Sequence, residues 1–219
     1  MKRYALIVAA GTGSRMNAGL PKQFLILSGK PVLFYSLQAF YNPETEIILV
    51  LSSEEIPRWE QLCKTYEITI PHKIVSGGQT RTESVYNGLL LLEDGLVAIH
   101  DGARPLVTKE LIENCYESAL KYGSGVASVH PKDSIRKANE FDNQAVNRED
   151  YRIMQTPQTF KVKELKNAFD LYGKQSSSDD ATIYEKAGFQ VVLVNGNYAN
   201  LKITTPEDML LAEAMLNFS

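Results

Sequence analysis

Six residues, Tyr4-Ala-Leu-Ile-Val-Ala9, form an apolar run that stops at a glycine loop, Gly11-Thr-Gly13. A run this short and this apolar is the pattern of a buried strand. Two cations follow the loop, Arg15 and Lys22. The small residues Ala9, Ala10, Gly11, Thr12 and Gly13 allow a phosphate chain to approach backbone amides, and Arg15 and Lys22 would neutralise it. The stretch therefore reads as the phosphate-holding part of a nucleoside triphosphate site. A purely structural strand-to-helix turn is the competing reading, and it leaves both cations unexplained.

Downstream, strand-like and helical patterns alternate. Strands are expected at 46–51, 72–75, 96–100 and 125–129, and helices at 31–40, 54–66, 80–92 and 108–122. Thr108 is placed to cap the last of these, and Pro31 suits a first helical position. Such alternation calls for a mainly parallel sheet with helices on both faces, whose ligands sit at the carboxyl ends of the strands. Polar clusters fall at three of those ends: 10–22, 76–84 and 100–105. They are distant in sequence and expected to converge.

The alternation breaks at 130–150, a polar, charged stretch that reads as an arm or hairpin leaving the sheet, with a disordered loop as the alternative. Beyond it, 151–154, 190–194 and 201–203 read as strands, and 163–172 and 179–187 as helices. Thr205-Pro-Glu-Asp208 is a helix start, with a capping threonine, proline at the first helical position and two acids on the positive end of the dipole. One domain over 1–219 is expected.

Bulk properties exclude several function classes. A net charge of -3 provides no global basic field to recruit nucleic acid. No apolar stretch approaches the length that spans a membrane. The two cysteines, Cys63 and Cys115, are isolated, so a zinc site or redox pair is not expected. With no signal-peptide pattern at the start, the expected setting is the cytoplasm.

The glycine loop is not a dinucleotide fingerprint, since Met16 stands where the third glycine belongs and no acid follows at the required distance. It is not a Walker loop either, because GK[ST] is absent. Asp101, in His100-Asp-Gly-Ala-Arg-Pro105, lies just past a buried strand, where one carboxylate can ligate Mg²⁺ bridging nucleotide phosphates. A turn-capping aspartate is the alternative. Arg104 is positioned for a substrate phosphate, and His72, His100 and His130 receive no catalytic role. Gly77-Gly-Gln-Thr-Arg-Thr-Glu-Ser84 enters a helix and can read a base edge with amides and short side chains. Further cations stand at Arg148 and Lys202. Gln155-Thr-Pro-Gln158 offers a hydroxyl and amides beside a proline turn, and Asp179 and Asp180 read as helix caps. No nucleophile motif is present, so the site is one that neutralises phosphates and positions an attack.

These residues resemble a known family. Ala9-Ala-Gly-Thr-Gly-Ser-Arg-Met16 with Pro21-Lys-Gln23 looks like the signature of sugar-phosphate nucleotidylyltransferases. The series completed by 77–85, 100–105, Lys132-Asp-Ser-Ile135, Gln155-Thr-Pro-Gln158, Ser178-Asp-Asp-Ala181 and 200–208 is similar to the 2-C-methyl-D-erythritol 4-phosphate cytidylyltransferase family, over essentially the whole chain. The resemblance implies a Rossmann-like three-layer α/β sandwich with a projecting arm, at about 131–150, that interlocks a homodimer. It implies transfer of a cytidylyl group from CTP to a polyol phosphate, with Mg²⁺ and release of pyrophosphate. By that likeness Arg15 and Lys22 stabilise the pentavalent phosphorus, and Arg148 and Lys202 position the acceptor phosphate. Gly77, Gly78, Gln79 and Ser84 contact cytosine, and Asp101 faces the ribose and metal. Arg104, Ser134, Thr156 and Ser178 line the acceptor site, Ser134 reaching across the dimer. Some positions depart from the family pattern: Gln79 replaces a frequent acid, Ser134 and Ser178 a frequent threonine, and Gly102 a common alanine. Ribitol-5-phosphate cytidylyltransferases share the loop, the QTPQ turn and the NxKITTP stretch, whereas the HDGARP and SDDA segments are more like the methylerythritol enzyme. A non-catalytic CTP sensor on the same fold is the alternative of another class.

Overall fold

The computed structural model describes residues 1–11, 20–173, 177 and 179–217. The chain opens with strand β1 (Arg3–Val8) and reaches a short hairpin, β2 (Ile26–Leu27) and β3 (Lys30–Pro31), which leads into helix α1 (Val32–Phe40). Then follow β4 (Thr45–Leu51), α2 (Ile56–Thr65), β5 (Lys73–Ser76), α3 (Arg81–Leu90), β6 (Leu96–Asp101), α4 (Lys109–Tyr122) and β7 (Ser124–Val129). A second hairpin, β8 (Arg136–Ala138) and β9 (Asn143–Ala145), precedes β10 (Ile153–Lys161), α5 (Val162–Tyr172), α6 (Asp180–Lys186), β11 (Leu193–Asn195) and α7 (Pro206–Asn217).

Seven of these strands form one sheet in the order β11-β7-β10-β6-β1-β4-β5. All neighbouring pairs are parallel except those of β10, which runs antiparallel to both β6 and β7. The continuous apolar character of the central strands follows from their two buried faces. In β1, Ala5 and Ile7 pack into the core under α1, α2 and α4. Tyr4 and Leu6 point the other way, into the core under α3, α5 and α6. Ile47 and Leu49 alternate with Ile48 and Val50 in the same manner. The result is a helix–sheet–helix sandwich, and each fully buried aliphatic side chain in it contributes about 1.5–3 kcal/mol. A smaller cluster, Leu27, Val32, Ile203 and Ala212, seats α7 against β2 and the start of α1. Among the described residues, no helix is long and apolar enough to cross a membrane.

Two local expectations are corrected. Gln155-Thr-Pro-Gln158 is not a turn after a short strand but the middle of the nine-residue β10. A proline cannot donate to a ladder, so it reads as a break. Here the register shifts between Met154 and Gln158, and that irregularity accommodates Pro157 inside the strand. Residues 201–203 form no strand; the Ile203 amide donates to the Ala103 carbonyl (2.8 Å), which helps to hold this segment beside the end of β6.

The polar stretch after β7 carries the β8–β9 hairpin, with all six of its strand residues exposed. Phe141, between the two strands, is 91% exposed. A 3-10 turn at Arg148–Asp150 leads back to the sheet, where Ile153 pairs with Val129.

Candidate active site

The loop after β5 is braced before it meets any ligand. Thr80 caps α3 by accepting from the Glu83 amide (3.1 Å), and the Glu83 carboxylate accepts from the Gln79 amide (2.7 Å). This is the reciprocal pattern of a capping box, shifted by one residue. Ser84 Oγ donates to the Thr80 carbonyl (2.8 Å) and accepts from the Gly78 amide (3.1 Å). Its proton is thus committed inside the loop. The Gly77 amide donates to Leu51 O (2.7 Å), which ties the loop to the end of β4. A Cβ at position 77 would lie 2.6 Å from Ala10 Cβ and 2.8 Å from Ser84 Oγ. Glycine there lets the two loops close on each other.

That closure forms one wall of a cavity of about 390 Å³ at the carboxyl edge of the parallel strands. Ala9, Ala10, Gly11 and Lys22 line it from the β1 side, Gly78, Gln79 and Ser84 from the α3 side, and Asp101 and Lys202 from the third. Buried Gln23 donates from Nε2 to the carbonyls of Ala9 (2.7 Å) and Gly11 (3.1 Å), which fixes the start of the glycine loop. A second cavity of about 270 Å³ adjoins it, sharing Arg81, Asp101 and Lys202 and adding Arg104, Thr156, Gln158 and Asp179.

Between the two cavities lies a charge cluster. Lys202 Nζ is 2.9 Å from Asp101 Oδ2, Arg104 Nε is 3.7 Å from the same oxygen, and Arg81 Nε is 3.3 Å from Oδ1. Arg81 also makes a bidentate bond to Asp180, at 2.9 and 2.8 Å. Burial opposes ionisation of Asp101, yet the surrounding Arg81, Lys202 and Arg104 outweigh it and hold the carboxyl well below the usual range. Burial pushes the Asp180 carboxyl up, against the pull of Arg81. Burial likewise lowers the pKa of Arg104, whose Nη1 donates to Asn200 O at 2.7 Å.

Beneath the cluster runs a buried hydrogen-bond chain. His100 Nε2 meets the Arg104 carbonyl at 3.1 Å, which can only accept, so the proton is on Nε2. The Thr156 hydroxyl then donates to His100 Nδ1 (3.0 Å) and accepts from the Asp101 amide (3.1 Å). Burial lowers the His100 pKa to about 4, so the ring is neutral and packs against Phe40. Thr156 lines the second cavity, but its hydroxyl proton serves the strand end rather than a ligand.

The structure therefore brings Ala9, Ala10, Gly11, Lys22, Gly78, Gln79, Ser84, Asp101 and Lys202 to one cavity, and Arg104 and Thr156 to the next. Gly77 lines neither and acts as a spacer. Arg148 and Ser134 are exposed on the arm; Arg148 Nη1 donates to Lys132 O (2.7 Å) and its Nε is 3.3 Å from Glu149. Neither lines either cavity. Thr12, Gly13, Arg15 and Ser178 lie outside the described residues.

Sequence reasoning missed the roles of Gln23, Arg81 and Asp180. Asp179 does cap α6, accepting from the Thr182 amide at 3.0 Å, but Asp180 does not cap; it is buried against Arg81. A second acid directly after a satisfied cap was the available signal.

A braced loop and a cation-rich edge at the strand ends of this sandwich are the arrangement of a nucleotidyltransferase. The family model described as IspD, 2-C-methyl-D-erythritol 4-phosphate cytidylyltransferase, matches residues 4–218. The chain belongs to that family. A protein of Porphyromonas gingivalis with the same family name is 44% identical over 218 residues, covering 98% of each chain. One from Bacteroides thetaiotaomicron is 42% identical over 219 residues, 99% of this chain and all of that protein. Among solved structures, the 2-C-methyl-D-erythritol 4-phosphate cytidylyltransferase of Thermus thermophilus superposes with a TM-score of 0.83 at 32% identity, over 99% of this chain and 100% of that one. The bifunctional IspDF of Campylobacter jejuni is also similar, with a TM-score of 0.79 at 30% identity, over 95% of this chain and 53% of that one.

Proposed function

We propose that the chain transfers a cytidylyl group from CTP to the phosphate of 2-C-methyl-D-erythritol 4-phosphate, giving 4-diphosphocytidyl-2-C-methyl-D-erythritol and pyrophosphate, as a step of non-mevalonate isoprenoid biosynthesis. The observation that carries this is the wall shared by the two cavities, where Lys202 and Arg81 meet Asp101. Two anionic reactants placed on either side of such a wall are brought together against their repulsion, which is a large part of the barrier in phosphoryl transfer. In this reading an acceptor phosphate oxygen attacks the α-phosphorus in line and pyrophosphate leaves. Lys22, with Arg15, faces the equatorial and leaving oxygens, and Lys202, with Arg148, aligns the acceptor. Arg104 and Ser178 complete the acceptor pocket, with Thr156 bracing it from behind.

Mg²⁺ belongs to this reading as a substrate-borne ion. Among the described residues no group of three or more His, Cys, Asp or Glu could hold a metal. Asp101 alone offers an ionised oxygen donor on the shared wall, and magnesium is commonly held by one or two carboxylates plus substrate phosphates. Bound there, the ion supplies positive charge against the phosphate oxygens. The proposal also includes one domain, a homodimer interlocked by the arm, with Ser134 and Arg148 serving the partner's site, and a cytoplasmic setting, which suits two free thiols.

Pyrophosphate release from CTP, measured with 2-C-methyl-D-erythritol 4-phosphate and with ribitol 5-phosphate, tests the reading. Release with the first acceptor supports it. Release with ribitol phosphate alone assigns the chain to the related activity. CTP binding without release under either acceptor makes it a sensor.

A further inference from the structure

Arg81 is assigned no substrate group in the reading above, yet it stands at the junction of both cavities. Its guanidinium uses every nitrogen on two carboxylates. Nη1 and Nη2 donate to Asp180 at 2.9 and 2.8 Å, and Nε to Asp101 Oδ1 at 3.3 Å. The Asp180 side chain is 1% exposed. The amides of Asp180 and Ala181 both donate to Gln158 Oε1, at 3.1 and 2.9 Å, so α6 begins at a point fixed by β10. At the other end, Arg81 is the first residue of α3, which Thr80 caps. The result is a strut from β10 and α6, through Arg81, to Asp101.

We propose that Arg81, anchored by Asp180, is a positioning residue for the transfer, acting through Asp101 and, through Asp101, on Lys202. Asp180 takes the two terminal nitrogens, so the guanidinium is held in one orientation with its Nε left for Asp101. With Oδ1 held by Arg81 Nε, Oδ2 is presented to Lys202 at 2.9 Å. Rotation of Asp101 about its side-chain bonds would carry Lys202 with it and disturb the walls of both cavities. A lysine at position 81 cannot reproduce this. A single ammonium meets Asp180 or Asp101, but does not fork to one carboxylate while donating sideways to another.

The inference rests on the reading of Asp101 and Lys202 as parts of the transfer site, and the test separates the two. Wild-type protein is assayed for pyrophosphate release beside Arg81→Lys and Asp180→Asn, each checked for a wild-type circular dichroism spectrum. Both variants are expected to lose about 10- to 100-fold in kcat, as misplacement of a reacting group does. The loss is expected mainly in kcat, with the KM for CTP moving no more than about threefold, because the loop at Gly78, Gln79 and Ser84 keeps its own bracing. In an Asp101→Asn background, Arg81→Lys is expected to cost less than about twofold more, since residues that act through one another are non-additive. A folded Arg81→Lys or Asp180→Asn variant with wild-type kcat overturns the inference, as do multiplicative losses in the double variant. A wild-type chain that releases no pyrophosphate removes the reading of the site, and the inference with it.

Discussion

Lys202 Nζ and Asp101 Oδ2 lie 2.9 Å apart although they come from opposite halves of the chain, one from the segment before α7 and the other from the end of β6. The pair stands in the wall that both cavities share. It makes the two cavities one electrostatic unit, in which an ionised carboxylate keeps the surrounding cations from repelling each other.

Lys202→Ala and Lys22→Ala are therefore expected to fold and to lose turnover. Removing one charged contact to a transferring phosphoryl group costs on the order of 10²-fold in kcat. Steady-state pyrophosphate release, with circular dichroism as the folding control, checks this; a wild-type kcat in Lys22→Ala contradicts its place on the phosphates.

The arm predicts an effect of a different kind. Arg148→Ala is expected to raise the KM for the acceptor with little change in the KM for CTP, because Arg148 lines neither cavity and belongs to the acceptor role in the proposed dimer. Replacing residues 131–150 by a short turn is expected to yield a monomer of low activity by light scattering and assay. A fully active monomer removes the cross-subunit role.

Gly77→Ala tests the loop closure. The new methyl would meet Ala10 Cβ at 2.6 Å, so one of the two loops must move. Overpacking of this kind costs about 1–3 kcal/mol, and here the displaced backbone is that of the nucleotide cavity. Denaturant unfolding should show the loss, and the CTP KM should rise; an unchanged KM would mean that the Ala10–Gly77 approach is irrelevant to nucleotide binding.

His100 gives a pH signature. Its folded pKa is about 4 against an ordinary value of 6.5. The unfolded chain therefore binds the proton first, and stability falls as pH drops from 6.5 towards 4, with no further loss from this group below that. The full effect is about 3 kcal/mol. His100→Gln should flatten the melting temperature across that window relative to wild type. An identical slope in both proteins would show that the ring does not titrate this way.

Legibility in the sequence followed the range of the interactions involved. The strands β1, β4 and β6 and the helices around them were readable because burial on two faces leaves a continuous apolar run and burial of one stripe leaves a helical period. The convergence of 10–11, 78–84 and 101 was readable too, because a parallel sheet dictates where its strand ends lie. What was hidden depended on contacts without a local trace. Whether Asp180 caps a helix or meets a guanidinium is decided by Arg81, far away in the chain. Gln23 looks like any loop amide until Ala9 and Gly11 carbonyls are placed beside it. Pro157 reads as a break because the irregularity that tolerates it belongs to the pairing with β7.

Val129 and Ile153 are register partners in adjacent antiparallel strands. Everything between them is, topologically, the loop of a hairpin whose stem is already closed inside the sheet. Lengthening such a loop costs only a logarithmic entropy. The arm can therefore be reshaped, shortened or exchanged without retuning the packing that supports the catalytic edge. Selection is free to change what the arm meets, while the fold beneath stays the same.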